Sequence, residues 1–130
     1  MRVDRLDHIV LTVSDVDATC EFYSRVLGLR VVGVGKHGGR GLWFGGQKIN
    51  LHQRGEEPEL KAASPTPGSG DLCFVVRDRM AEVLEHLREC DVEVVEGPVE
   101  REGALGTMTS VYFRDPDGNL IELSSYRKAE

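Results

Sequence analysis

Four side chains of metal-ligating type fall in segments that read as strands: His8, His52, Asp71 and Glu122. Neutral imidazole together with carboxylate suits a divalent ion such as Zn, Ni, Fe, Mn or Co, with water completing the shell. A carboxylate taken out of water is costly unless it is paired or bound to such an ion. A site with few protein ligands keeps open positions, and a substrate can enter there. Each residue also has a plain alternative. A single His on a strand is usually surface, Asp71 can cap the turn after Gly68-Ser69-Gly70, and Glu122 can face water. The pattern of the strands that carry them favours a common site.

Side chains alternate between the two faces of a strand. In 7–13, Ile9, Leu11 and Val13 oppose His8, Val10 and Thr12. In 47–53, Ile49 and Leu51 oppose Lys48, Asn50 and His52. In 71–76, Leu72, Phe74 and Val76 oppose Asp71, Cys73 and Val75. In 119–126, Ile121 and Leu123 oppose Leu120, Glu122 and Ser124. Each strand has one apolar face for a helix to cover and one mixed face with a ligand on it. Asn50 and His52 share a face, and either can complete the set.

The intervening elements repeat in order. Ser14 is the expected N-cap of a helix, with Asp17 in the capping-box position. Val16, Cys20, Tyr23 and Leu27 form its face, and Gly28 stops it. A strand over 29–34 and a glycine-rich loop over 35–41 follow. A hairpin then turns at Gly45-Gly46. In the second half, Asp78 is the expected cap of a helix with Met80, Val83, Leu84 and Leu87 on one face. Val92 to Val95 reads as a strand, Arg101 to Gly106 as a loop, and 110–126 as a hairpin turning at 114–118. Segments 7–11, 42–44 and 48–51 echo 70–74, 111–113 and 120–123. The repeat relates His8 to Asp71 and Asn50 to Glu122. The expected fold is α+β: two βαβββ modules forming a curved mixed sheet around a metal-binding trough, helices outside. One domain spans 1–130, with modules over about 4–54 and 70–126 and a linker over 55–69.

Composition narrows the partners. The chain has 130 residues, 40% hydrophobic and 29% charged, with a formal net charge of −6. An acidic balance opposes nucleic-acid binding and docking on an anionic membrane. No apolar run is long enough to span a bilayer, and residues 1–7 have no signal-peptide stretch, so a cytoplasmic location is expected. Cys20, Cys73 and Cys90 are too far apart for a CxxC motif and read as small buried hydrophobes. His37 and His86 are assigned to solvent.

Leu6 to Val13, Phe22-Tyr23, Leu27-Gly28-Leu29 and the closing run Phe113-Arg114-Asp115-Pro116-Asp117-Gly118-Asn119-Leu120-Ile121-Glu122 resemble the vicinal oxygen chelate superfamily. That group takes in glyoxalase I, fosfomycin resistance proteins, extradiol dioxygenases and bleomycin-binding proteins. Segments 47–52, 65–73 and 96–98 resemble its glyoxalase-domain-containing, virulence-protein-like subgroup. The resemblance implies paired modules, frequent homodimers and ligands on the first, fourth, fifth and eighth strands. His8 and Glu122 match the first and last of these. Asp71 stands where many members have His, which argues against dioxygenase chemistry. Asn50 stands where glyoxalase I has Glu.

The resemblance therefore implies a metal-dependent lyase or isomerase of glyoxalase type, acting on a small substrate with vicinal oxygens. Glu122 is ligand and candidate base, and Arg101 is a candidate for a substrate anion. Fosfomycin-type thiol transfer and a metal-free drug-binding protein are the alternatives.

Overall fold

The computed structural model describes residues 1–36 and 38–127, so His37 lies outside the described residues. Two compact units form, Met1–Gly68 and Ser69–Glu130. The first contains β1 (His8–Val13), α1 (Val16–Leu27), β2 (Arg30–Val34), β3 (Gly39–Phe44) and β4 (Gln47–Gln53). The second contains β5 (Asp71–Val75), α2 (Met80–Glu89), β6 (Glu96–Gly103), β7 (Gly106–Arg114) and β8 (Leu120–Ser125). Both expected βαβββ modules are present. Hydrogen bonds divide the strands into two four-stranded mixed sheets, ordered β1-β4-β3-β2 and β5-β8-β7-β6. No helix among the described residues is long and apolar enough to cross a membrane.

The repeat holds at the level of register. β1 and β4 are parallel, pairing His8 with Lys48 and Val10 with Asn50. β5 and β8 are parallel too, pairing Asp71 with Leu120 and Cys73 with Glu122. Each ladder is extended by an equivalent bond, Lys48 N–H to Asp7 O at 3.4 Å and Leu120 N–H to Gly70 O at 3.0 Å. The echo between β3 and β7 needs correction. Gly41 faces Asn50 as Tyr112 faces Glu122, so Leu42 corresponds to Phe113 rather than Val111. The offset is two residues. A two-residue slip leaves every side chain on its own face, so alternation cannot detect it.

Burial follows the apolar faces. Val13, Tyr23, Leu42 and Ile49 are buried in the first unit, and Leu87, Val111, Phe113 and Ile121 in the second. α1 packs on β2, β3 and β4. Its N-cap is Asp15, not Ser14, and the Asp15 carboxylate accepts the Ala18 N–H at 3.1 Å. Asp17 is not a capping-box partner; it pairs with Arg40. Gly28 ends the helix at φ 68°, a left-handed conformation that costs glycine little. The N-cap of α2 is Arg79, with no side-chain cap, so Asp78 lies one residue too early. Val83 and Leu87 are its buried face. Of the cysteines only Cys20 is buried; Cys90 is half-buried and Cys73 is exposed.

The largest correction concerns β6. Val92 to Val95 is not a strand, and Arg101 lies in β6 rather than in a loop. The ladder runs from Glu96 opposite Tyr112, through an irregularity before Val99, to Gly103 opposite Gly106. The glycines that read as loop are the paired ends of a two-residue hairpin turn.

The β7–β8 turn is held by side chains. Asp115 Oδ1 accepts the N–H groups of Asp117 and Asn119, both at 2.9 Å. Asp115 Oδ2 accepts from Asn119 Nδ2 at 2.7 Å, and Asn119 Oδ1 accepts the Gly70 N–H at 2.7 Å. Asn119 is 1% exposed and Asp115 6%. Hydrogen bonds to a charged group are strong, and removing the acceptor orphans buried donors. Asp115→Ala should lower unfolding stability by about 3 kcal/mol in a denaturant titration. A loss within experimental error would show that the clasp is not stabilising.

Candidate functional site

The mixed face of the second sheet carries a row in strict register: Cys73 opposite Glu122, Glu122 opposite Tyr112, and Tyr112 opposite Glu96. Alternation on four adjacent strands puts these side chains on one surface. Arg101 joins them from β6. Its Nε donates to the Tyr112 hydroxyl at 3.1 Å, its Nη2 to Glu96 Oε2 at 2.8 Å and its Nη1 to Glu100 O at 2.9 Å. The guanidinium also lies over the Tyr112 ring, 5.5 Å from its centre. A cavity of about 530 Å³ opens here, lined by Asp71, Glu96, Arg101, Tyr112 and Glu122 among others.

Below Glu122 the face is buried and polar. Ser124 Oγ donates to Glu122 Oε2 at 3.1 Å and lies 2.6 Å from Ser110 Oγ. Cys73 Sγ is 3.2 Å from Ser124 Oγ. Although Cys73 is exposed as a residue, partial desolvation of its thiol raises it above its ordinary value; Ser124 counters this, and the charge of Glu122 adds to it. Burial likewise raises the Tyr112 phenol, with Arg101 opposing and Glu122 reinforcing.

The first unit presents the matching face. His8 Nδ1 lies 2.8 Å from Asp7 Oδ2, and this bond holds the Asp7 carboxyl below the usual carboxylate range. Asp7 thereby fixes the ring and leaves Nε2 available, the usual arrangement behind a ligating imidazole. Asn50 Oδ1 is buried and has no hydrogen-bond partner among the described residues. An orphaned buried carbonyl costs about 1–3 kcal/mol.

Register decides which donors within a unit can meet. Asn50 lies two positions diagonally from His8, as Glu122 lies from Asp71. Such diagonals span about 8 Å between Cα atoms, within reach of a shared ion. His52 faces Thr12, four positions from the His8–Lys48 pair. That is about 14 Å from His8, too far to share an ion with it. Among the described residues no three His, Cys, Asp or Glu side chains gather closely enough to hold a metal ion. The donor types still suit a divalent ion, two to a unit. Sequence reasoning missed Asp7, whose signal was simply its place next to His8. It also missed Tyr112 and Glu96, whose signal was cross-strand register, which a single strand does not display.

The chain belongs to the Glyoxalase/Bleomycin resistance protein/Dioxygenase superfamily, whose pattern matches residues 5–123. It is 55% identical over 130 residues to the glyoxalase domain-containing protein RDO1 of Mycosarcoma maydis, covering 100% of this chain and 73% of that protein. It is 52% identical over 126 residues to virulence protein STM3117 of Salmonella typhimurium, covering 97% of this chain and 87% of that protein. The crystal structure of STM3117 matches with a TM-score of 0.95 over 98% of this chain and 100% of that one. A lactoylglutathione lyase from Agrobacterium tumefaciens matches at 26% identity and a TM-score of 0.72, over 97% and 96% of the two chains.

The Cys73–Glu122 contact is open to a chemical test. Glu122→Gln removes a charge that holds the thiol up, so alkylation of Cys73 by iodoacetamide at pH 8 should accelerate. Peptide-resolved mass spectrometry separates it from Cys20 and Cys90. An unchanged rate would break the link between the two residues.

Proposed function

We propose that the chain is a metal-dependent lyase or isomerase of glyoxalase type, acting on a small substrate with vicinal oxygens. The observation that carries this reading is the row Cys73–Glu122–Tyr112–Glu96 with Arg101 hydrogen-bonded to Tyr112. It combines a carboxylate, a phenol and a guanidinium on one face of a superfamily fold. The name of the lactoylglutathione lyase relative points the same way.

In this reading His8 in the first unit, and Glu122 and Asp71 in the second, are candidate metal donors; His52 is left out by its register. A divalent ion held by such donors would supply Lewis-acid chemistry to a bound substrate. Glu122 takes up a substrate proton as general base. The Tyr112 hydroxyl accepts from Arg101 Nε, so its own proton is directed toward an oxygen acceptor. Arg101 retains unused N–H donors beyond its three bonds, enough to hold an anionic substrate group. Homodimer formation is part of the proposal.

Elemental analysis of protein purified without added metal should find a divalent ion, or titration should find tight binding. His8→Ala and Glu122→Ala should each weaken that affinity at least tenfold. Unchanged affinity in both would remove these ligands. The glutathione hemithioacetal of methylglyoxal should turn over with at least one divalent metal. Turnover of fosfomycin with a thiol instead would replace the lyase by a transferase.

A further inference from the structure

The end of α2 brings together two metal-donor side chains that the proposed function does not use. His86 and Cys90 are four residues apart, so they share one face of the last helical turn. Cys90 Sγ lies 3.6 Å from His86 Nε2. Cys90 is half-buried and in no disulfide, and His86 is exposed.

We propose that His86 and Cys90 form a separate metal site, a two-donor clip for a thiophilic divalent ion of the zinc type. Zinc bonds sulfur at about 2.3 Å and imidazole nitrogen at about 2.1 Å in a tetrahedral shell. Two such bonds hold their donor atoms about 3.6 Å apart. The pair already stands at that separation, so the ion enters without a change of backbone. Thiolate and imidazole select zinc, cadmium or cobalt over magnesium and calcium, which need oxygen donors. Both side chains sit at the helix C-terminus, where the dipole attracts a cation. The surrounding stretch carries Glu82, Glu85, Glu89, Asp91 and Glu93 against one cation, Arg88, which is paired with Glu85. No third His, Cys, Asp or Glu among the described residues joins the pair, so water completes the shell. The thiol proton leaves to solvent as the ion binds, and His86 donates through Nε2 as neutral imidazole. The ion then ties 86 to 90 across the last turn of a helix whose N-cap makes no side-chain bond.

This clip shares no residue with the proposed catalytic site, so the two readings stand or fall separately. The full chain, reduced and freed of metal, is titrated with Co²⁺ while the sulfur-to-cobalt charge-transfer band in the near ultraviolet is followed. None of the donors proposed for the catalytic site is a sulfur, so the band reports a thiolate ligand. It should grow to saturation in the wild-type chain and in Cys73→Ser, which removes the thiol beside Glu122. Cys90→Ser should abolish it, and His86→Ala should weaken the binding at least tenfold. Zinc should displace cobalt and bleach the band, whereas magnesium should not. Zinc should also slow hydrogen exchange at the residue 90 amide, which bonds His86 O at 3.0 Å, and Cys90→Ser should cancel that effect. The variants are compared at equal far-ultraviolet circular dichroism, so that lost binding is not lost folding. No charge-transfer band in the wild-type chain would overturn the proposal. So would a band that survives Cys90→Ser or vanishes in Cys73→Ser, or undiminished affinity in His86→Ala.

Discussion

The clasp between Asp115 and Asn119 is the constraint on which the second unit depends. One carboxylate accepts two backbone N–H groups and a side-chain amide, and that amide's oxygen reaches back to Gly70 at the mouth of β5. The turn is thereby tied both to itself and to the strand that pairs with β8. A parallel pair has no hairpin to set its register. The link from Asn119 to Gly70 supplies that fixed point. It places Leu120 opposite Asp71, and Glu122 then falls opposite Cys73. The closing motif of the chain is therefore a register device, and the position of Glu122 follows from it.

The first unit reaches the same register by another route. Its hairpin turns at Gly45-Gly46, both with positive φ, and no aspartate clasp occupies that turn. Gln53 does part of the tying. Its side chain accepts the Val16 N–H at 3.0 Å and donates to Ser14 O at 2.6 Å, joining the end of β4 to the start of α1. Two unrelated sets of polar contacts thus hold two copies of one topology. The shared constraint is the parallel outer pair, β1 with β4 and β5 with β8. Sequence similarity between the halves can fade while that pairing persists.

Equivalent positions have diverged in chemistry. Where Glu122 interacts with Ser124, Tyr112 and Cys73, the related Asn50 has a buried oxygen with no hydrogen-bond partner among the described residues. The first unit has His8 braced by Asp7, while the second has Asp71. A network satisfied on one side and open on the other makes the two halves chemically distinct. The closed network holds a carboxylate in place, and the open one has no such bond at the related position.

Much of the fold was legible along the chain. Strand alternation separated Ile9, Ile49, Phe74 and Ile121 from His8, Asn50, Cys73 and Glu122 without reference to any neighbour. Gly28 and Gly45-Gly46 announced their turns because few other residues adopt positive φ at low cost. The sequence also carried the repeat, since 7–11 and 70–74 share a pattern. It misassigned β6, where Gly97-Pro98 and Gly103 read as breaks, and it put Arg101 in a loop. Tertiary structure alone decided who faces whom across the strands. That pairing set His52 beyond the reach of His8, set Asn50 within it, and brought Arg101, Tyr112 and Glu96 beside Glu122. The reason is physical: period two fixes a side chain's face but not its neighbour, and a slip of two residues preserves the face while exchanging every cross-strand partner.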